Sequence, residues 1–322
     1  MLSLPATLVF FPFALVAAAG IGARDAITTP TTCSAVHIFV ARGFDEEYPG
    51  RQSVLVDAVC DDLSSCDYED IVWVTSMEYG FCDAVSVGTA NGLSQITKYN
   101  EQCPDAALVL TGYSQGAHVV GDMLGGGNGT FFDGCVQKSN DGLDPSTAPG
   151  NKIVAALAFG DDRHTANQSY NVESGSALQG FFPRSAIELE PLEKYAGVLR
   201  SYCAAGDPIC ANGDVVAEHL NYFEKYTDDA AAWVKKMVSQ NATALSTTPS
   251  SSSSASASSS SQTSTADSSA QETASSVSAS STSSSTATGT AASASSTSTN
   301  GASLAMYSMS AVGIAFVAVL GF

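Results

Sequence analysis

The segment Ala107-Leu108-Val109-Leu110-Thr111-Gly112-Tyr113-Ser114-Gln115-Gly116-Ala117 sets an apolar run directly before a glycine-flanked serine. Beyond it, Val119, Val120, Met123 and Leu124 recur at the spacing of one helix face. Strand, sharp turn and helix in that order form a nucleophile elbow, G-x-S-x-G, whose turn lifts the serine hydroxyl above the carboxyl edge of a sheet. Side chains at Gly112 and Gly116 would collide with the adjoining strand and helix, so glycine is required there. Ser114 is the expected nucleophile.

Four more short apolar runs lie around this one at spacings too wide for hairpins: Val36–Ala41, 71–75, Ile153–Phe159 and 198–204. Near-continuous Val, Ile, Leu and Phe is the pattern of strands buried on both faces. Helical stretches separate them. Leu55, Ala58, Val59 and Leu63 share a face over 52–63, and Val85, Val87, Leu93 and Ile96 mark a helix over 84–99. A further helix is expected over 117–124 and a last one over 229–238. This alternation predicts an α/β fold, a five-stranded parallel sheet with helices on both faces. The glycine-rich run 125–129 ends the third helix and does not cradle phosphate, because no Gly-Lys-Ser/Thr follows it.

A serine nucleophile needs a base, and the chain has four histidines. His37 falls inside the first strand. His118 lies four residues past Ser114, on a helix that carries it away from the hydroxyl. His164 follows Gly160-Asp161-Asp162-Arg163 at the end of the fourth strand and is the rival candidate. His219 comes late in the chain, in keeping with the order Ser…Asp…His on α/β hydrolase sheets. The acid then belongs between Ser114 and His219. Asp207 follows the fifth strand between Cys203 and Cys210, whose pairing would fix its direction; Asp214 and Asp161 are alternatives. In this scheme His219 takes the proton of Ser114, Asp207 holds the imidazole, and Ser114 attacks a carbonyl. The Gln115 N–H is one oxyanion donor by elbow geometry, and the loop Arg42-Gly43-Phe44-Asp45 supplies the second.

The chain has 322 residues, a formal charge of −19 and only 14 % charged residues. No basic stripe is present, and nucleic acid would be repelled. The eight cysteines lack zinc-ligand spacing, so no metal and no cofactor is expected; their even number suits disulfides in an oxidising compartment. Residues 2–19 carry no charge and end in Ala17-Ala18-Ala19, which reads as a signal peptide, residues 1–19, with Ala23 a second cleavage candidate and a short membrane anchor the alternative. Residues 246–299 are nearly all Ser, Thr and Ala, the composition of a disordered, O-glycosylated stalk. Small residues Asn300-Gly301-Ala302, a polar spacer and the apolar tail 311–322 follow the order of a glycosylphosphatidylinositol (GPI) attachment signal, with Asn300 as attachment residue; a single membrane helix is the alternative. One folded domain remains, 33–245. Arg24 is the only basic residue outside it, and Asp25, Asp267 and Glu272 the only acidic ones, so it holds 12 basic and 29 acidic residues, a net −17. Sequons at Asn128, Asn167 and Asn241 fit a secreted surface.

These residues resemble the fungal cutinase and acetylxylan esterase group of small serine esterases. The resemblance rests on Val36-His37-Ile38-Phe39-Val40-Ala41-Arg42-Gly43, on Gly112-Tyr113-Ser114-Gln115-Gly116-Ala117, and on Cys203-x3-Asp207-Pro208-x-Cys210 followed by His219-Leu220-x-Tyr222. It implies a three-layer α/β/α sandwich without a large lid, and the triad Ser114, Asp207 and His219. It also implies bridges of Cys33 with Cys103 and Cys203 with Cys210. Cys60, Cys66, Cys82 and Cys135 allow three pairings, of which Cys60 with Cys66 and Cys82 with Cys135 is chosen.

Two departures stand out. The second oxyanion donor of the group is usually Ser or Thr, whereas Phe44 stands at the matching position, and Gly160-Asp161-Asp162 replaces the usual Gly-Asp-Pro. Val215 and Leu220 beside His219 resemble the apolar substrate rim of cutinases, while Asp207-Pro208-x-Cys210 with Asn212-Gly213 is closer to acetylxylan esterases. The expected protein is a monomeric, extracellular ester hydrolase held to a membrane or wall by a lipid anchor, acting on cutin-like polyester or acetylated xylan. The alternative is a cell-surface binding or wall-organising protein on the same fold.

Overall fold

A computed structural model describes residues 32–76 and 78–247. The expectations for signal, stalk and anchor, Asn300 included, lie outside the described residues. Strands β1 (Val36–Ala41), β2 (Cys66–Asp70), β3 (Ala107–Tyr113), β6 (Ile153–Phe159), β7 (Asn171–Val172) and β8 (Leu199–Tyr202) form one sheet in the order β2-β1-β3-β6-β8-β7. Every pair in it is parallel. Between β3 and β6 a small antiparallel hairpin, β4 (Gly127–Thr130) and β5 (Val136–Asn140), stands apart.

Helices α1 (Ser53–Cys60) and α6 (Tyr222–Thr247) pack together on one face, and α2 (Phe81–Gln102), α3 (Gln115–Gly125) and α4 (Ala186–Glu193) on the other; the short α5 (Val216–Leu220) precedes α6. Strand β1 shows how the layers arise. Val36, Ile38 and Val40 enter the core beneath α1 and α6, while Phe39 and Ala41 enter the core beneath α2 and α3. Alternate side chains thus serve opposite faces, and the one polar side chain of the run, His37, is buried between Asp67 and the ring of Tyr99.

The sheet departs from the expected five strands in two places. The second strand is Cys66–Asp70, not the apolar run 71–75. It is an edge strand, and its acids face His37 of β1: Asp67 meets Nδ1 at 2.7 Å and the buried Glu69 lies 3.8 Å from Nε2. Residues 71–75 leave the sheet as extended chain, with Ile71 and Trp73 buried and Val72 and Val74 exposed. At the other edge β7 adds a sixth, two-residue strand. The last helix begins at Tyr222, seven residues earlier than periodicity indicated. Gly126, at φ +82, ends α3 and turns the chain into the hairpin.

Disulfides join Cys33 to Cys103, Cys60 to Cys66, Cys82 to Cys135 and Cys203 to Cys210. Asn128 and Asn167 are exposed and Asn241 is half-buried. Beneath the sheet's α3 face lies a buried ionic cluster. His118 meets Asp162 at 3.1 Å and Asp122 at 3.3 Å, and Arg184 meets Asp122 at 2.7 Å.

Burial alone would make His118 less basic, but Asp162 and Asp122 outweigh it and raise its pKa to about 9. An unfolded histidine titrates near ~6.5. The stability this cation contributes is therefore complete below about pH 6.5 and lost as the pH rises through about 9. The thermal unfolding midpoint is expected to fall between pH 7 and pH 9.5, and His118→Gln to flatten that slope. An identical slope in the variant would count against the cluster's role.

Candidate active site

The strand order places the site. Chain leaving β1 turns toward the β2 edge, whereas chain leaving β3 proceeds toward β6, so the connections diverge between these neighbours. Open α/β sheets bind ligands at such a switch point, outside the carboxyl ends of the strands. Ser114 caps α3 there with φ 53 and ψ −120. Its N–H donates to Phe159 O on β6 at 2.8 Å, which ties the turn to the sheet. A Cβ on Gly116 would run into the carbonyl oxygens of Ala41 and Arg42, and one on Gly112 into Gly116.

Ser114 Oγ lies 3.0 Å from His219 Nε2, and His219 Nδ1 lies 2.8 Å from Asp207 Oδ2. With Nδ1 protonated, the imidazole donates to the carboxylate and accepts from the hydroxyl. His219 and Asp207 have no exposed surface, and Ser114 only 3 %. Burial opposes charge on Asp207, but His219, the Tyr222 hydroxyl and the Ile209 N–H outweigh it and hold its pKa below the usual carboxylate range. His219 belongs to α5, and its carbonyl accepts from the Tyr113 hydroxyl at 2.9 Å. Gly160, at φ +61, packs against the ring: a Cβ there would sit 2.8 Å from Cε1 and 2.9 Å from Nδ1.

The rivals sit elsewhere. His164 Nδ1 bonds Ser201 Oγ at 2.9 Å and is buried; desolvation lowers its pKa to about 4. Asp161 accepts from the Arg163 N–H at 2.9 Å, and Asp214 is exposed. His37 stacks on Tyr99, with ring centroids 3.6 Å apart.

Around the expected oxyanion site, Gln115 opens α3 and Phe44 is half-buried in the loop after β1. Thr75 Oγ1 donates to the Gln115 side chain at 2.5 Å and accepts from Asp45 N–H at 3.4 Å, bridging that loop to the elbow. Glu46 Oε2 accepts from Gly43 N–H at 2.8 Å, and Glu46 Oε1 pairs with Arg51 at 3.1 Å. Val215 is exposed. Leu220 lines a cleft of about 420 Å³ with Arg51, Val54 and Phe223, and neither Ser114 nor His219 lines that cleft.

Sequence reasoning gave no role to Thr75, Tyr113, Gly160 or Tyr222. Thr75 was hidden in the misplaced strand, and Tyr113 in the variable position of G-x-S-x-G. Tyr222 stood in the motif His219-Leu220-x-Tyr222 without a role, because it opens α6 whereas His219 belongs to α5.

The parallel sheet, strained serine turn and aligned hydroxyl, imidazole and carboxylate are those of the α/β hydrolase class. Within it the chain belongs to the cutinase family: the family profile described as Cutinase matches residues 32–238. It is 30 % identical over 237 residues to acetylxylan esterase 2 of Talaromyces purpureogenus, covering 67 % of this chain and 94 % of that one. Cutinase 11 of Verticillium dahliae is 28 % identical, covering 73 % and 77 %. The catalytic core domain of acetyl xylan esterase from Trichoderma reesei superposes with a TM-score of 0.57 at 29 % identity, over 64 % of this chain and all of that one. The protein is accordingly a carboxylic ester hydrolase, and its substrates are esters.

Gly160→Ala is expected to displace the imidazole while the sheet stays folded. A misplacement of about 1 Å typically lowers turnover about 10²-fold. Measuring kcat/KM on p-nitrophenyl acetate alongside circular dichroism tests this; wild-type kcat/KM in a folded variant would show that Gly160 does not hold the ring.

Proposed function

We propose that the protein is a secreted, surface-anchored serine esterase acting through Ser114, His219 and Asp207 on the esters of a wall polymer, either acetylated xylan or cutin-like polyester. The reading rests on the continuous line from Ser114 Oγ to His219 at 3.0 Å and on to Asp207 at 2.8 Å. His219 takes the serine proton as Oγ attacks the ester carbonyl, and Asp207 stabilises the imidazolium. The backbone N–H groups of Gln115 and Phe44 receive the oxyanion. His219 then returns the proton to the leaving alcohol and activates a water that hydrolyses the acyl-enzyme. Relatives named acetylxylan esterase and cutinase support these two substrate classes.

Phe44 favours one second reading, a weak or inactive wall-binding protein, because a Ser or Thr hydroxyl at this position would give the oxyanion another donor. An oxyanion donor is worth about 10²–10³ in kcat. Phe44→Ser is therefore expected to raise kcat at least about tenfold on short acyl esters. No increase would mean that the pocket does not use a side chain at position 44.

The decisive assay uses p-nitrophenyl acetate with the full chain. Ser114→Ala should lose on the order of 10⁴–10⁶-fold in kcat. Equal rates in wild type and variant would refute the assigned nucleophile, and an inactive wild type would favour the binding protein. Acetate release from acetylated xylan, compared with hydrolysis of a long-chain polyester, separates the two substrates. Residues 1–19 act as the export signal, 246–300 as the stalk and 301–322 as the peptide exchanged for a lipid at Asn300. Treatment of cells with a phospholipase specific for inositol lipids should release the enzyme; retention would point to a spanning helix or a covalent wall link.

A further inference from the structure

We propose that Tyr222 is a positioning residue of this site, whose hydroxyl donates to the same Asp207 oxygen that receives the His219 N–H and so sets how strongly the carboxylate supports charge on the imidazole. The proposal rests on the triad assigned above. Asp207 has no exposed surface, so protein groups alone answer its charge. Oδ1 accepts from the N–H groups of Ile209 at 2.6 Å and Cys210 at 3.3 Å. Oδ2 accepts from Tyr222 Oη at 2.6 Å and His219 Nδ1 at 2.8 Å. The ring of Tyr222 is fully buried at the start of α6 and lies beneath the site, out of reach of any substrate.

The direction of the Tyr222 bond is determined by its surroundings. The hydroxyl has one proton, and its oxygen already accepts from Ala204 N–H at 3.1 Å. Cys210 Sγ lies 3.2 Å away, but it is bonded to Cys203 and has no proton to give. The phenol therefore directs its proton at Asp207 Oδ2, and both groups have no exposed surface. Burial and the Asp207 charge both keep the phenol protonated far beyond its ordinary range.

Two donors on one oxygen share its charge. Without the phenol, more of that charge acts on the imidazole, which then holds its proton to higher pH, and the carboxylate loses one contact fixing its plane. Tyr222→Phe is expected to move the acidic limb of the kcat/KM profile up by about one pH unit. It should also lower kcat about tenfold through looser orientation, with KM unchanged. Site-specific 3-fluorotyrosine at 222 keeps the ring and the Ala204 contact but is a stronger donor, so the limb should move the other way.

The test is the pH profile of both chains on p-nitrophenyl acetate, with Ser114→Ala as control. Opposite shifts support the proposal, and if the phenylalanine chain fails to fold the fluorotyrosine chain decides alone. Unmoved limbs with an inactive Ser114→Ala overturn the role of Tyr222 and leave the triad standing. Activity retained in Ser114→Ala overturns the triad reading and this proposal with it.

Discussion

One close approach organises the carboxyl edge of this sheet: the first turn of α3 lies directly against the end of β1. Only the missing side chain of Gly116 allows it, since a Cβ would meet the carbonyls of Ala41 and Arg42. The approach compresses the turn between β3 and α3 into a single residue, and Ser114 takes φ 53 as a result. A residue in so sparsely populated a region costs on the order of 1–3 kcal/mol, which its surroundings must offset. Here they do so through complete burial of α3, all eleven of whose residues are in the interior, and through the bond from Ser114 N–H to Phe159. The hydroxyl is thereby raised at the place where the connections from β1 and β3 diverge.

Charge is buried on both flanks of that turn, but it is compensated differently. Asp207 stands as a single carboxylate answered by four hydrogen-bond donors, so each donor influences how much charge remains for His219. On the α3 side, Asp122, Asp162 and Glu188 face His118, Arg163 and Arg184, three acids against three cations, an arrangement in which full ion pairs cancel. A cancelled cluster holds loops in place; an incompletely cancelled carboxylate can respond to a proton moving nearby. The residues from Gly160 to Arg163 connect the two, because Gly160 supports the imidazole while Asp162 and Arg163 enter the cluster.

Much of this was legible in the amino-acid order, for reasons that also explain the failures. β1, β3 and β6 are central strands buried on both faces, so the apolar runs of β1 and β6 coincide with their ends, while β3 runs two residues past Thr111 into the elbow. β2 is an edge strand and escapes that rule: Cys66-Asp67-Tyr68-Glu69-Asp70 reads as loop, while the apolar residues after it pack as extended chain. The hairpin β4–β5 is built from Gly-Asn-Gly-Thr and a polar partner, with no hydrophobic alternation to detect. Ser114, Asp207 and His219, which the fold brings into one hydrogen-bonded line, stood out as candidates because the chemistry restricts residue type and order. Tyr222 did not, because its role depends on a hydroxyl reaching across a turn, a matter of geometry that residue type leaves open.

The same distinction bears on Phe44. A hydroxyl at this position would both order the loop after β1 and offer a proton to developing negative charge. The ordering is achieved here by other groups: Glu46 accepts from Gly43 N–H, Arg42 donates to Trp73 O at 2.9 Å, and Thr75 accepts from Asp45 N–H. Thr75 cannot take over the second task, since its only proton is directed to the Gln115 side chain. The loop is thus held in place by neighbours, and in the proposed mechanism its offering to the oxyanion is the backbone N–H of Phe44. Under the proposed mechanism Phe44 therefore bears on the rate of the chemical step and on the shape of the pocket.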